Sequence, residues 1–118
     1  MAGFGLFVGF GYPVRGREQK AAQVFGEAVD LWTRLQQEGR LESWSAVFLE
    51  PHGGDLGGFF LLWGERDEIS RLRTDDAFVR VTTRAQLIVD NFGVVGAQTG
   101  ERIQPQMQLF MEQTGELA

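Results

Sequence analysis

A chain of 118 residues with 43% hydrophobic and 23% charged residues is long enough for one buried core and too short for two. Its net charge of −5 argues against a basic footprint for nucleic acid, and the absence of cysteine excludes disulfides, thiolate nucleophiles and cysteine-based metal sites. No charged-then-apolar leader opens the chain and no apolar run approaches the ~18 residues that a membrane span requires, so the expectation is a cytoplasmic protein with no membrane partner.

The first predicted strand covers about residues 6–12, with Leu6, Val8, Phe10 and Tyr12 on one face and small Gly9 and Gly11 on the other. Pro13 and Gly16 end it. From 17 to 38 the period becomes helical. Ala21, Phe25, Ala28, Trp32 and Leu35 form a stripe at spacings of three and four, widened by Val24 and Leu31, and Gly39 follows as a C-terminal cap.

Two strands at 41–50 and 57–64 flank a glycine-rich turn, Pro51-His52-Gly53-Gly54-Asp55. Trp44, Ala46 and Phe48 alternate with Leu41, Val47 and Leu49, and Phe59, Leu61 and Trp63 alternate with Phe60 and Leu62. Neither arm has a polar face, so both sides of the hairpin need cover. A helical region over 67–90 breaks near 74, where Thr74-Asp75-Asp76 caps a second segment carrying Phe78, Val81, Ala85 and Ile88. A fourth strand is predicted at 92–99. A last helix at 104–113 opens on Gln104-Pro105, bears Ile103, Met107, Phe110 and Met111 on one side, and stops at Gly115.

Strand, helix, strand, strand, helix, strand is the pattern of two split βαβ units. It predicts an α+β, ferredoxin-like βαββαβ sandwich with an added C-terminal helix. Helices would cover one face of the antiparallel sheet. The other apolar face predicts a homodimer packed sheet to sheet, the simplest cover for a patch rarely left open on a monomer.

This order resembles the dimeric α/β-barrel superfamily. The stretch GRLESWSAVFLEPHGGDLGGFFLLWGERDEI, followed by DDAF, is similar to the YCII-like proteins: a glycine after the first helix, a hairpin, then an acidic-Phe step into the second helix. The resemblance implies cofactor-free monooxygenase-, isomerase- or cyclase-type chemistry. The His–Asp pair of the YCII-like proteins does not transfer, because the first helix here has no histidine.

Gly3-Phe4-Gly5 and Gly9 precede or interrupt a strand rather than open a helix, so they are no dinucleotide fingerprint. The turn lacks the Lys-Ser/Thr of a phosphate loop, and one histidine among scattered carboxylates offers no metal-ligand spacing. His52 is the natural acid–base candidate because its ordinary pKa lies near neutrality, with Asp55 three residues on to orient it. Flanking Pro51 and Gly53-Gly54 make an exposed turn the favoured reading of the same residues. Tyr12, at a strand end, is a further candidate, since its hydroxyl needs a partner if buried. Arg73, Arg80 and Arg84 read either as an anion contact or, more commonly, as a solvated face paired with Asp76 and Glu68. Trp32, Trp44, Trp63, Tyr12 and the ten Phe read either as the lining of a cavity for a flat apolar molecule or, for most of them, as core and dimer contact. Tyr12, Trp44 and Trp63 are the expected wall of a pocket between sheet and helices for a small apolar or aromatic molecule, flanked by His52. The rival expectation is a non-catalytic module whose sheet and C-terminal helix serve assembly.

Overall fold

The computed structural model describes residues 3–118. Strands β1 (Phe4–Phe10), β2 (Ser43–Phe48), β3 (Gly58–Gly64) and β4 (Gly93–Gln98) form one antiparallel sheet in the order β2-β3-β1-β4. Between them run helices α1 (Glu18–Gln37), α2 (Arg66–Leu72) and α3 (Asp76–Gln86). A 3-10 turn at Gly100–Arg102 leads from β4 into α4 (Ile103–Glu116).

Register decides what each face carries. Leu6 lies opposite Leu62, which lies opposite Trp44; Val8, Phe60 and Ala46 make the next row, and Phe10, Gly58 and Phe48 the last. This face meets α1 and α3, and its central residues Leu6, Val8, Phe60 and Leu62 are buried with Ala28, Trp32, Leu35, Phe78 and Val81 from the helices. Each large side chain removed from water here contributes roughly 1.5–3 kcal/mol.

The opposite face holds Gly5, Trp63 and Ser43 in one row, Phe7, Leu61 and Ser45 in the next, then Gly9, Phe59 and Val47, with Val95 and Ala97 from β4. No position on it is charged. A side chain at Gly5 would collide with the Trp63 ring, and one at Gly9 with the Phe7 ring. Two aromatic rings therefore lie flat over two glycines, which smooths the face. Phe7 and Phe59 stack beside them at 5.0 Å between ring centroids.

Local chemistry sets the helix ends. Gly39 adopts φ +79, its N–H reaching the Gln36 carbonyl while Arg40 N–H reaches Leu35, a glycine-terminated turn that closes α1. Asp75 caps α3 by accepting from the backbone N–H groups of Ala77 (3.0 Å) and Phe78 (3.3 Å). Arg84 grips Glu27 through two hydrogen bonds of 2.8 and 2.9 Å, which ties α3 to α1.

Several boundaries differ from the sequence reading. β1 begins at Phe4 and ends at Phe10, because Gly11 turns its N–H to the Asp90 carbonyl (2.7 Å) and Pro13 bridges to Val89. The 67–90 region breaks at 73–75 as its Thr74-Asp75-Asp76 cap predicts, but its second helix stops at Gln86. Ile88 is nonetheless buried, held by the turn that follows. α4 starts one residue early, puts Pro105 at its third position and runs through Gly115.

α4 stands apart. None of its residues is buried, and its only substantial contacts are with the 3-10 turn before it. The radius of gyration, 16.3 Å, exceeds the about 13.5 Å expected of a compact chain this long, as a projecting arm would make it.

Asp75 gives the fold an acid-sensitive joint. Partial burial pushes its carboxyl up, but the Phe78 N–H and the Arg40 guanidinium (3.1 Å) hold it below the usual value. Glu27 is lowered too, chiefly by the hydrogen bond from Arg84. A folded value below the unfolded one contributes stability above the unfolded pKa of about 4, lost as pH falls through the folded value. Asp75→Ala should cost about 1 kcal/mol at pH 7, or about 4 °C in melting temperature. Asp75→Asn should keep the cap yet melt with a shallower loss between about pH 5 and 3 than the parent. Identical acid limbs for parent and Asp75→Asn would refute the joint.

Candidate functional site

Between the helix-facing side of the sheet and helices α1 and α3 lies a cavity of about 540 Å³. Small side chains leave the space. Ala21 and Ala28 of α1 and Ala85 of α3 face inward where larger residues would fill the gap, while Phe10, Phe25, Phe48 and Phe60 wall it. The rings are mutually packed: Phe25 stacks on Phe60 at 5.1 Å, and Phe10 meets Phe25 edge-on at 6.3 Å. Trp32 closes the inner end, edge-on to Phe60 at 5.7 Å.

The mouth lies where β1 and β2 end. Tyr12, Glu18 and Phe48 are exposed there, with Phe48 at 70%. Two glycines permit the tight backbone crossing behind it. A Cβ on Gly57 would strike the Gly11 carbonyl, and one on Gly11 the Asp90 carbonyl.

Polar groups on the wall are few. Thr82 is buried and donates its hydroxyl to the Val79 carbonyl at 3.1 Å. The Trp32 indole N–H is buried without an acceptor. Among the described residues Glu18 is the one carboxylate lining the cavity, and no Lys, Arg or His does so. Among the described residues no group of three His, Cys, Asp or Glu side chains is arranged to hold a metal ion.

The residues singled out from sequence scatter. Tyr12 lines the mouth. Trp44 sits half-buried on the helix-facing side, packed against the core but off the cavity wall, and Trp63 lies on the opposite face of the sheet. His52 stands in the β2–β3 turn with both ring nitrogens engaged by backbone: Nε2 lies 2.6 Å from the Leu56 carbonyl oxygen, and Nδ1 accepts from the Gly54 N–H at 3.2 Å. That pattern assigns the ring proton to Nε2. Asp55 does not contact the ring, and neither residue lines the cavity. Arg80 and Arg84 line one shallow pocket beside Glu27, with which Arg84 pairs. Arg73 instead donates to the Val94 carbonyl at 3.2 Å, and Glu68 pairs with Arg40 and Arg71, so the three arginines of the second helical region do not all converge on one ligand.

Phe10, Phe25, Phe48, Phe60 and Phe92 are wall residues that the sequence offered only collectively, among ten phenylalanines whose favoured reading was core and dimer contact. They read as ordinary core. The available signal was the recurrence of alanine on the same stripe as Phe25 and Trp32.

No family model matches the chain, and no curated protein resembles it in sequence. Solved structures do resemble it in shape. A dimeric ferredoxin-like protein of unknown function from Jannaschia sp. CCS1 is 13% identical, with 83% of this chain and 99% of that one covered at a TM-score of 0.61. SnoaB, a cofactor-independent oxygenase from Streptomyces nogalater, is 14% identical over 85% and 96%, TM-score 0.56. A putative antibiotic biosynthesis monooxygenase from Chloroflexus aurantiacus J-10-fl is 8% identical over 82% and 92%, TM-score 0.53. The chain has the ferredoxin-like fold.

Proposed function

We propose that the chain forms a homodimer packed sheet to sheet, each subunit binding one small, neutral, mainly apolar molecule in the cavity between sheet and helices. The observation that carries this reading is the aromatic-walled cavity itself. Its volume of about 540 Å³ falls within the ~300–1,000 Å³ usual for small-molecule sites. Stacked phenylalanines favour a flat ring system. With no cation on the described wall, an anionic ligand would lose its hydration without a partner, and an almost wholly apolar lining suits a neutral one.

Cofactor-independent oxygenation or isomerisation of such a molecule is the chemistry to test first, given the likeness to SnoaB. Glu18 and Tyr12, at the mouth, would be the groups placed to move a proton. The scarcity of other polar groups favours a second reading, a binding or assembly module without catalysis. The dimer rests on the uncharged outward face, where Phe7, Phe59, Leu61 and Trp63 would meet their copies across the ~10 Å spacing of stacked sheets. A cysteine-free chain suits a reducing compartment, and the cytoplasm is the location we propose.

Titration with the neutral fluorophore N-phenyl-1-naphthylamine tests the cavity. We expect saturable binding with one probe per subunit. Ala28→Leu fills the space from α1 and should weaken binding by about tenfold or more, 1.4 kcal/mol, while melting within about 1.5 kcal/mol of the parent. His52→Ala should bind the probe as the parent does. Undiminished binding by Ala28→Leu, or loss of binding in His52→Ala, would overturn this placement of the site.

A further inference from the structure

Two surfaces of this molecule lack the partner that their chemistry demands. One is α4. Ile103, Met107, Phe110 and Leu117 follow at spacings of four, three and seven, with Met111 beside them, and these side chains are 49–84% exposed. An isolated helix of 14 residues is marginal in water, so α4 needs a surface against this stripe.

The other is β2. It is an edge strand, and its helix-facing residues Ala46 and Phe48 are exposed although the equivalent residues of β1 and β3 are covered. Its free backbone edge also invites pairing or cover.

A subunit's own α4 does not serve its own β2. α4 leaves from the Gln98 end of β4, beside Phe4, whereas Phe48 ends β2 at the Phe10 end of the sheet. Those corners are diagonally opposed across three strand spacings and six residues, about 25 Å apart, and α1 and α3 occupy the face between them. A second copy meets the requirement. A two-fold axis along the strands, with the uncharged faces stacked, sets β4 of one subunit over β2 of the other. The partner's α4 then starts near the Ser43 end of β2. At about 21 Å long it matches the roughly 20 Å of a six-residue strand. Charge excludes rival occupants: α4 has no Lys or Arg, and its charges are Glu112 and Glu116, the reverse of a helix that seeks an anionic membrane or nucleic acid.

We propose that α4 is an exchanged arm: it lies along the free β2 edge of the partner subunit, covers Ala46 and Phe48, and so walls the open side of the partner's cavity mouth. This rests on the face-to-face dimer, and the test separates the two.

The cysteine-free chain makes directed cross-linking clean. Ala46→Cys and Met111→Cys chains, both altered at exposed positions, are mixed, allowed to exchange subunits and treated with a short bismaleimide. The arm placement predicts a covalent dimer from the mixture at levels well above either variant alone. Phe110→Glu, also at an exposed position, should raise the dimer dissociation constant by about tenfold with unchanged helix content. A non-covalent dimer that yields no mixed cross-link, or Met111→Cys that cross-links best to itself, overturns the arm placement and leaves the stacked sheets standing. A parent chain that sediments as a monomer overturns both.

Discussion

The four-stranded sheet is apolar on both sides, and the chain brings helices to only one of them. On the covered side, burial of Leu6, Val8, Phe60 and Leu62 against α1 and α3 builds the core. On the other, Phe7, Phe59, Leu61 and Trp63 lie over or beside glycines and no charged residue intervenes. A one-residue slip in any strand would exchange these two sets. The rows Leu6–Leu62–Trp44 and Phe7–Leu61–Ser45 therefore fix both the interior of the subunit and the character of its open face. The fold, the cavity and the proposed assembly all follow from how these two faces are satisfied.

The covered side is not filled evenly. Leu31, Trp32 and Leu35 pack the far end of α1 tightly, while Ala21 and Ala28 leave room near the other end. The Glu27–Arg84 pair and the Asp75 cap hold α1 and α3 in place around that room by polar contacts at their outer surfaces. The helices thus bridge the gap instead of collapsing into it, and five phenylalanines line what remains. Such a space selects for shape and apolarity more than for charge. It suits the flat neutral molecule proposed above and leaves little machinery for acid–base chemistry beyond Glu18 and Tyr12.

Much of the architecture was legible in the residue order. The alternation in 41–50 and 57–64, the three-four spacing from Ala21 to Leu35 and the Asp75 cap each read directly as the element found. Strand faces were less legible. Trp44 and Trp63 look equivalent in sequence, yet their register sends them to opposite sides of the sheet, because Trp44 pairs with Leu62 and Trp63 with Ser43. A pocket was legible in the wealth of aromatic residues, but not which of them wall it: Phe25 and Phe60 look like core, and the alanines opposite look like helix formers. The stripe on α4 was plain, but a stripe says that a surface is needed and not where that surface lies.

Sedimentation equilibrium on the parent chain and on Leu61→Lys tests the two-faced sheet most directly. Leu61 lies at the centre of the uncharged face and points away from the helices, so a lysine there charges that face without disturbing the core. The account predicts about twice the 13.2 kDa chain mass for the parent and the single-chain mass for Leu61→Lys, with the same circular dichroism spectrum. A monomeric parent, or a Leu61→Lys variant that stays dimeric, would contradict it.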